Sequence, residues 1–390
     1  MKLLNWPALL LALTKFATLA TAHPSGLTKC QLPTRNPLSS CPKNTILVSS
    51  SDKRAHFTTI QSAILSLPDD HSSQTILILP GNYTEQLNVT RRGPLTLIGQ
   101  TSKPTSQSSN TVTVLFSAAN VQASYTDNAF TSVLTVSPTL EASLTGSGPT
   151  GYAVPNNTVY GNTDFRVYNI NFRNVFSEAS VGPSLAVSVS RANAGFYYSG
   201  FYSYQDTVYI GKLGNAYFKS SEIAGQTDFL YGFGTAFIQS SRLLLRNCGG
   251  GITAWKGANT TFPNKYGVYI SQSTVVAANS TIAPTIIGKC FLGRPWNIQH
   301  RSVFMDTYLD ATINAAGYKK WGTGDERFSN LTLMAEYKDF GPGFNETGRI
   351  VGGVTTLLSE KQVKAYDKPV DVFMDENGRQ PYVGWIDEDA

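Results

Sequence analysis

Between residues 58 and 68 the apolar positions fall at helical spacing, and over most of the remaining chain they do not. Ile60, Ala63, Ile64 and Leu67 share one face, Thr58 or Thr59 stands where a cap is needed, and Pro68 ends the run. A short helix is predicted there. Beyond it come short β-rich runs punctuated by Gly, Asn and Ser, at 75–79, 95–98, 111–116, 165–172 and 186–189. These predict strands.

The most informative pattern lies between 193 and 247. Ala194, Ala216 and Ala236 each open a similar string of aromatic and Ser positions, in steps of 22 and then 20 residues, and 164–176 reads as a divergent earlier copy. A period of about 20 is too short for a propeller blade of roughly 40 residues, and too short for a helix-pair solenoid. It fits one turn of a β-solenoid, in which coils stack as parallel sheets around a continuous apolar core. An antiparallel sandwich is the rival, but hairpin pairs such as Asn-Gly are absent from this stretch. The expected fold is all-β, a parallel β-helix with a short N-terminal helix.

That register gives two residues a joint meaning. Asp206 lies twelve residues after Ala194, and Asp228 twelve after Ala216. Equivalent positions on adjacent coils are about 4.8 Å apart. Two carboxylates that close cannot both ionise easily, so one becomes an acid and the other a nucleophile or base. The bland reading is two solvated turn aspartates. Tyr202, Tyr204, Tyr209, Phe229, Tyr231 and Phe233 crowd the pair, which suits stacking on sugar rings or, equally, a set of core stacks.

Composition changes the picture in one respect, the setting. Only 15% of residues are charged, against 41% apolar, and Ser, Thr, Asn and Gly fill the polar positions, as in an extracellular β-rich protein. Lys2, the apolar run 3–13 and Ala20-Thr21-Ala22 read as a signal peptide over 1–22. The alternative, a membrane anchor, needs a longer apolar run. The mature chain, 23–390, is expected to be one secreted domain. Losing Lys2 and Lys15 reduces the formal charge from +5 to +3, far from a nucleic-acid-binding stripe. Cys30, Cys41, Cys248 and Cys290 allow three pairings. With no C-x-x-C and four scattered histidines, no metal site is expected. Sequons at Asn82, Asn88, Asn156, Asn259, Asn279, Asn330 and Asn345 predict some glycosylation.

Five strings then point one way. Tyr204-Gln205-Asp206-Thr207-Val208-Tyr209 resembles the Y-Q-D-T-L-Y motif of pectinesterases, and Gly225-Gln226-Thr227-Asp228-Phe229-Leu230-Tyr231-Gly232 resembles their G-x-V-D-F-I-F-G. Leu292-Gly293-Arg294-Pro295-Trp296 matches L-G-R-P-W in full. Gly81-Asn82-Tyr83-Thr84-Glu85 is similar to G-x-Y-x-E, and Gly317-Tyr318-Lys319-Lys320-Trp321 to G-W-x-x-W. They occur in family order across about 80–325. The resemblance implies a right-handed parallel β-helix that removes methyl esters from pectin without a cofactor. Asp228 would be the nucleophile, Asp206 the general acid and then base, Gln205 the oxyanion donor, and Arg294 the group that holds Asp228 ionised. Trp296 and Trp321 would line sugar subsites, with Tyr231 and Gln226 as further substrate contacts. Tyr83 and Glu85 read as mainly structural. The expected partner is methyl-esterified pectin, met by a monomer, with no nucleic acid and no membrane involved.

One departure matters. The family carries another glutamine one coil before Asp206, where this chain has Pro183-Ser184-Leu185-Ala186-Val187 and no Gln between 182 and 200. Losing such a donor costs about 2.7–4 kcal/mol of transition-state stabilisation. Gln226, two residues before Asp228 and so on the same face of a strand, could compensate or could merely hydrogen-bond in a side-chain ladder along the solenoid, with Ser184 a weaker substitute. Two other functions stay open: a catalytically impaired pectin-binding protein, and a pectin-degrading lyase or glycoside hydrolase. The second needs flanking carboxylates or an acidic metal cluster, and the sequence offers no such cluster near the pair: only Glu222 is close, and alternation puts it on a coil flank. The acids Asp375, Glu376, Asp387, Glu388 and Asp389 read as a solvated tail.

Overall fold

The computed structural model describes residues 26–145, 157–257 and 265–390. The expected signal segment 1–22 and the sequons at Asn156 and Asn259 lie outside the described residues.

Each central coil carries three short strands. In the coil that holds Asp206 these are Asn193–Tyr197, Gly200–Tyr202 and Val208–Ile210. In the next they are Asn215–Lys219, Glu222–Gly225 and Leu230–Gly232. Stacking the coils builds three parallel sheets of eleven, eight and six strands, a β-helix. The sequence period is the coil itself: Ala194 pairs with Ala216 and Ala216 with Ala236. Phe196 stacks on Phe218 at 4.9 Å and Phe172 on Phe201 at 5.6 Å, filling the interior with rings.

Corners explain the strand breaks. The predicted run 165–172 is two strands, Phe165–Tyr168 and Ile170–Asn174, because Asn169 turns the chain at φ 55°. Tyr198, Ser220 and Ser240 repeat that left-handed turn in later coils, at 49°, 51° and 50°. Just past the corner a serine ladder satisfies buried backbone. Ser199 N–H donates to Ser221 Oγ (3.1 Å), Ser221 N–H to Ser241 Oγ (3.0 Å) and Ser241 N–H to Ser273 Oγ (3.1 Å).

The helix Ile60–Leu65 is capped by Thr59 and buries Ile60, Ala63 and Ile64. Glu85 accepts from the Ile60 and Gln61 N–H groups at 2.9 and 2.8 Å, and the buried Tyr83 donates to Leu79 O, so both serve this end of the solenoid structurally. The four cysteines form Cys30–Cys41 and Cys248–Cys290.

The C-terminal segment corrects the expectation of a solvated tail in part: Glu376, Glu388 and Asp389 are exposed, but Asp375 and Asp387 are half-buried and the chain around them docks. Phe373, Trp385 and Ile386 cover the outer aromatic stripe of the eleven-stranded sheet, Tyr168, Tyr197, Tyr217, Phe237 and Tyr269. Tyr168 Oη donates to the Asp387 carboxylate at 2.6 Å. The outer faces of five coils present rings that need cover, and this segment supplies it.

At the far end Arg349, on the helix Glu346–Gly352, is fully buried against Glu336, at 2.6 Å, and also donates to the Asn314, Ala315 and Gly343 carbonyls. Burial raises the pKa of both Glu336 and its neighbour Asp339. Arg349→Met leaves Glu336 without its cation and is expected to destabilise the fold by about 3–5 kcal/mol, read by urea denaturation. Adding Glu336→Leu should recover much of that loss, because the cost lies in the stranded charge rather than in the missing pair.

Candidate active site

Asp206 and Asp228 occupy the second corner of adjacent coils, each between an eight-sheet strand and a six-sheet strand. Their neighbours Gln205 and Thr227 form a parallel bridge, and Asp206 N–H donates to Thr227 O at 3.1 Å. Both aspartates are left-handed, at φ 59° and 48°. Asp tolerates that conformation better than most residues, and sharing it aims the two carboxylates alike. Each is only 8% exposed, so these are not solvated turn residues.

Arg294 fixes the difference between them. Its Nε and Nη2 donate to the two carboxylate oxygens of Asp228 at 3.0 and 2.6 Å, a bidentate pair. Burial pushes the Asp228 carboxyl up, and the Arg294 bonds, the Gly251 backbone and Lys319 oppose it. Asp206 lacks such a clamp. Burial, with the charge of Asp228 added, lifts it well above the usual carboxylate range, against weaker pulls from Arg294 and Lys256. The arrangement therefore favours an ionised Asp228 beside a protonated Asp206.

A feature unread in the sequence makes this pairing possible. Gly249, Gly250 and Gly251 lie in the coil between Asp228 and Arg294: Asp228 N–H donates to Gly251 O, and a Cβ on Gly251 would strike Gly293. The Arg294 side chain crosses back over Gly250, where a Cβ would collide with both Arg294 Nε and Asp228 Oδ1. A run of three glycines is itself a signal of close approach.

Gln205 accepts from Ser180 Oγ at 2.9 Å through its side-chain oxygen. Its amide nitrogen forms no hydrogen bond with a described residue and remains as a donor. Ser184 is its partner one coil earlier, donating its N–H to Gln205 O. The Ser184 hydroxyl is shared with Ser203 Oγ at 2.8 Å. Gln226 is half-buried, and no hydrogen bond of its side chain to a described residue forms. The strand-alternation argument does not place it, because the strand ends at Gly225 and Asp228 turns left-handed.

The aromatic residues divide. Tyr202, Tyr209, Phe229, Tyr231 and Phe233 are all buried, and Tyr204 alone among the six is half-exposed. They are packing rather than a sugar platform. Tyr231, 1% exposed, lies beneath Trp296 with ring centroids 5.5 Å apart, so it reaches the site through that indole. Trp296 is half-exposed, with Phe233 at 6.2 Å. The Nζ of Lys256, a fully buried residue, lies 3.3 Å from the Trp296 ring centroid. Burial lowers the pKa of Lys256 to about 6. Nothing in the string Ala254-Trp255-Lys256-Gly257 marks that lysine as interior. Trp321 carries the guanidinium of Arg294 at 3.9 Å and that of Arg327 at 4.1 Å, which makes it a support for Arg294.

The pectinesterase family model matches residues 136–377. Probable pectinesterase A of Neosartorya fischeri is 26% identical over 347 residues, covering 89% of this chain and 91% of that protein. The crystal structure of the pectin methylesterase of Aspergillus niger superposes with a TM-score of 0.69 at 23% identity, over 89% of this chain and 97% of that one. A pectin methylesterase solved in complex with a hexasaccharide superposes with a TM-score of 0.62, at 23% identity, over 87% and 98%. These structures share the fold, and the family model, which takes in both aspartates and Arg294 within well over half of the chain, settles its kinship: the chain belongs to the pectinesterase family.

Proposed function

We propose that the chain hydrolyses methyl esters of galacturonate in pectin, with Asp228 as nucleophile and Asp206 as acid and base. The observation that carries this reading is the asymmetry of the pair: two buried carboxylates in register, one clamped by Arg294 and the other not. The family supports the ester chemistry, and its member bound to a hexasaccharide supports a sugar polymer as substrate.

In this mechanism an Asp228 oxygen attacks the ester carbonyl carbon, and the electron pair moves to the carbonyl oxygen. The Gln205 amide donates to that oxyanion. As the C–O bond to methoxide breaks, Asp206 delivers its proton and methanol leaves. An anhydride between Asp228 and galacturonate remains. Asp206, now a carboxylate, takes a proton from water, whose hydroxide attacks the anhydride and frees pectate and Asp228. Trp296 offers its half-exposed indole to a sugar ring. The two disulfides support an oxidising, extracellular setting.

Purified protein should release methanol from methylated pectin, without new reducing ends or unsaturated products, and should do so after exhaustive chelation. Asp228→Asn and Asp206→Asn are expected to lose nearly all turnover while still binding polymer, whereas Trp296→Ala mainly raises KM. Full-rate turnover by Asp228→Asn would remove it as nucleophile, and activity restored only by added calcium would favour a lyase.

The pH profile should be bell-shaped, its acidic limb set by ionisation of Asp228 and its alkaline limb by loss of the Asp206 proton. Arg294→Lys keeps a positive charge but loses the bidentate bond. Asp228 then needs a higher pH to ionise, so the acidic limb of kcat/KM should move up in pH. A limb that stays in place, or moves down, contradicts the assignment.

Ser184 occupies the place of the second oxyanion donor with its hydroxyl already engaged. Gln226, whose side chain forms no hydrogen bond with a described residue, is the proposed replacement. Gln226→Ala should lower kcat by about 10- to 1000-fold with little change in KM, the signature of a contact made in the transition state. Unchanged kcat in a stably folded variant would leave Gln205 as the sole donor.

A further inference from the structure

The side chain of Gln205 does not stand free at its corner. Thr227 is its register partner on the next coil. Ser180 bridges the two, from the loop that joins the strand Ile170–Asn174 to the strand Val187–Val189. Its Oγ lies 2.9 Å from Gln205 Oε1 and 2.9 Å from Thr227 Oγ1. All three residues are half-buried. Among the described residues, Ser180 is the one hydrogen-bond partner of the Thr227 hydroxyl and of the Gln205 side chain.

Counting protons fixes the direction of this chain. A hydroxyl has one proton to donate, so Ser180 cannot donate to both neighbours. With Gln205 Oε1 turned to Ser180, Thr227 donates to Ser180 and Ser180 donates to Gln205, and both hydroxyl protons are used. The reversed amide would donate its nitrogen to Ser180, turn the Ser180 proton to Thr227 and leave the Thr227 proton without an acceptor among the described residues. The network therefore favours the amide with its nitrogen facing away from Ser180, and each bond along it polarises the next.

Both hydroxyls are set by their surroundings. The loop that carries Ser180 exposes Val175, Phe176 and Val181, so little packing holds its middle. Its ends are tied down: buried Asn174 donates through Nδ2 to the Ala118, Thr131 and Leu185 carbonyls, and Ser184 N–H donates to Gln205 O. Between those ends, Thr227 anchors Ser180 to the coil. Gly249 makes room for that anchor, because a Cβ there would collide with Thr227 Oγ1. In the family motif G-x-V-D-F-I-F-G the position of Thr227 is Val, which fills the same volume without a hydroxyl.

We propose that Ser180 and Thr227 are positioning residues for the oxyanion donor: together they hold the Gln205 amide with its nitrogen free for the ester oxygen. A donor aimed before charge develops costs no reorganisation in the transition state, whereas a flipped amide presents its own oxygen to the oxyanion and opposes it. A chain with Ser184 in place of the second family glutamine depends all the more on the aim of Gln205. This inference rests on the reading of Gln205 as oxyanion donor given above.

Steady-state kinetics on methylated pectin, with the full-length protein, tests it. Ser180→Ala should lower kcat about tenfold and Thr227→Val about threefold or more, each with KM changed less than about twofold. Thr227→Ser keeps the hydroxyl and should stay within about twofold of the wild-type kcat. Gln205→Ala should lose about 100- to 1000-fold, and in that background Ser180→Ala and Thr227→Val should add nothing, since no amide remains to be aimed. Undiminished kcat in both single variants, or losses that persist in full without Gln205, would overturn the proposal and leave Gln205 as donor. Equal kcat in Gln205→Ala and wild type would overturn the donor assignment itself, and the positioning role with it. Melting temperatures identify any variant that fails to fold, and should Ser180→Ala be one, Thr227→Val against Thr227→Ser decides.

Discussion

Parallel hydrogen bonding between coils, in strict register, is the constraint on which the rest of this molecule depends. Once Ala194 pairs with Ala216, every later position in the coil is committed, and equivalent side chains stand one strand spacing apart. The interior phenylalanine stacks, the serine ladder and the left-handed corners are all consequences of that repetition. So is the carboxylate pair. The fold does not have to bring two distant segments together to supply the acid and the nucleophile of the proposed mechanism, because it places the same residue at the same corner twice.

Repetition alone would give two equivalent aspartates, and chemistry needs them to differ. Symmetry is broken by elements outside the repeat. Arg294 arrives from a later coil and clamps one carboxylate, through the gap that Gly250 leaves. Lys256 pulls on Asp206, while burial lowers the pKa of Lys256 to about 6 and so weakens its own charge. The difference in proton affinity between the two aspartates is therefore a product of the surroundings, which is what the proposed mechanism asks of one residue type in two roles.

Sequence carried the periodic part of this well and the aperiodic part poorly. The period, the register of Asp206 and Asp228 and the helix Ile60–Leu65 were legible because each follows from local spacing, whereas the structural reading of Tyr83 and Glu85 came with the family motif. The break at Asn169 was not, since Asn in a left-handed corner looks like Asn within a strand until φ is known. Aromatic crowding around the aspartates was ambiguous for the same reason, and most of those rings turned out to be interior. Lys256 and the docked C-terminal segment were invisible for a different reason. A lysine or a run of acids looks solvated from composition, and only the aromatic stripe of five distant coils explains why Trp385 and Asp387 lie down on it.

In the proposed mechanism the reacting groups gather at the second corner because corners are where a solenoid has chemical freedom. Strand positions face either the packed interior or the outer sheet surface, and a change there disturbs neighbours above and below. A corner residue contributes its backbone to the ladder, as Asp206 N–H does to Thr227 O, and leaves its side chain to point elsewhere. The two aspartates and Gln205 all belong to such corners. The coil core can then stay constant while successive corners are altered one residue at a time, and substrate preference becomes a property of which side chains line up along that edge. The exchange of a second amide for Ser184 that the family motif implies would be a change of this kind: it would leave the pairing of Ser184 N–H with Gln205 O in place and alter only what the corner offers to the proposed oxyanion.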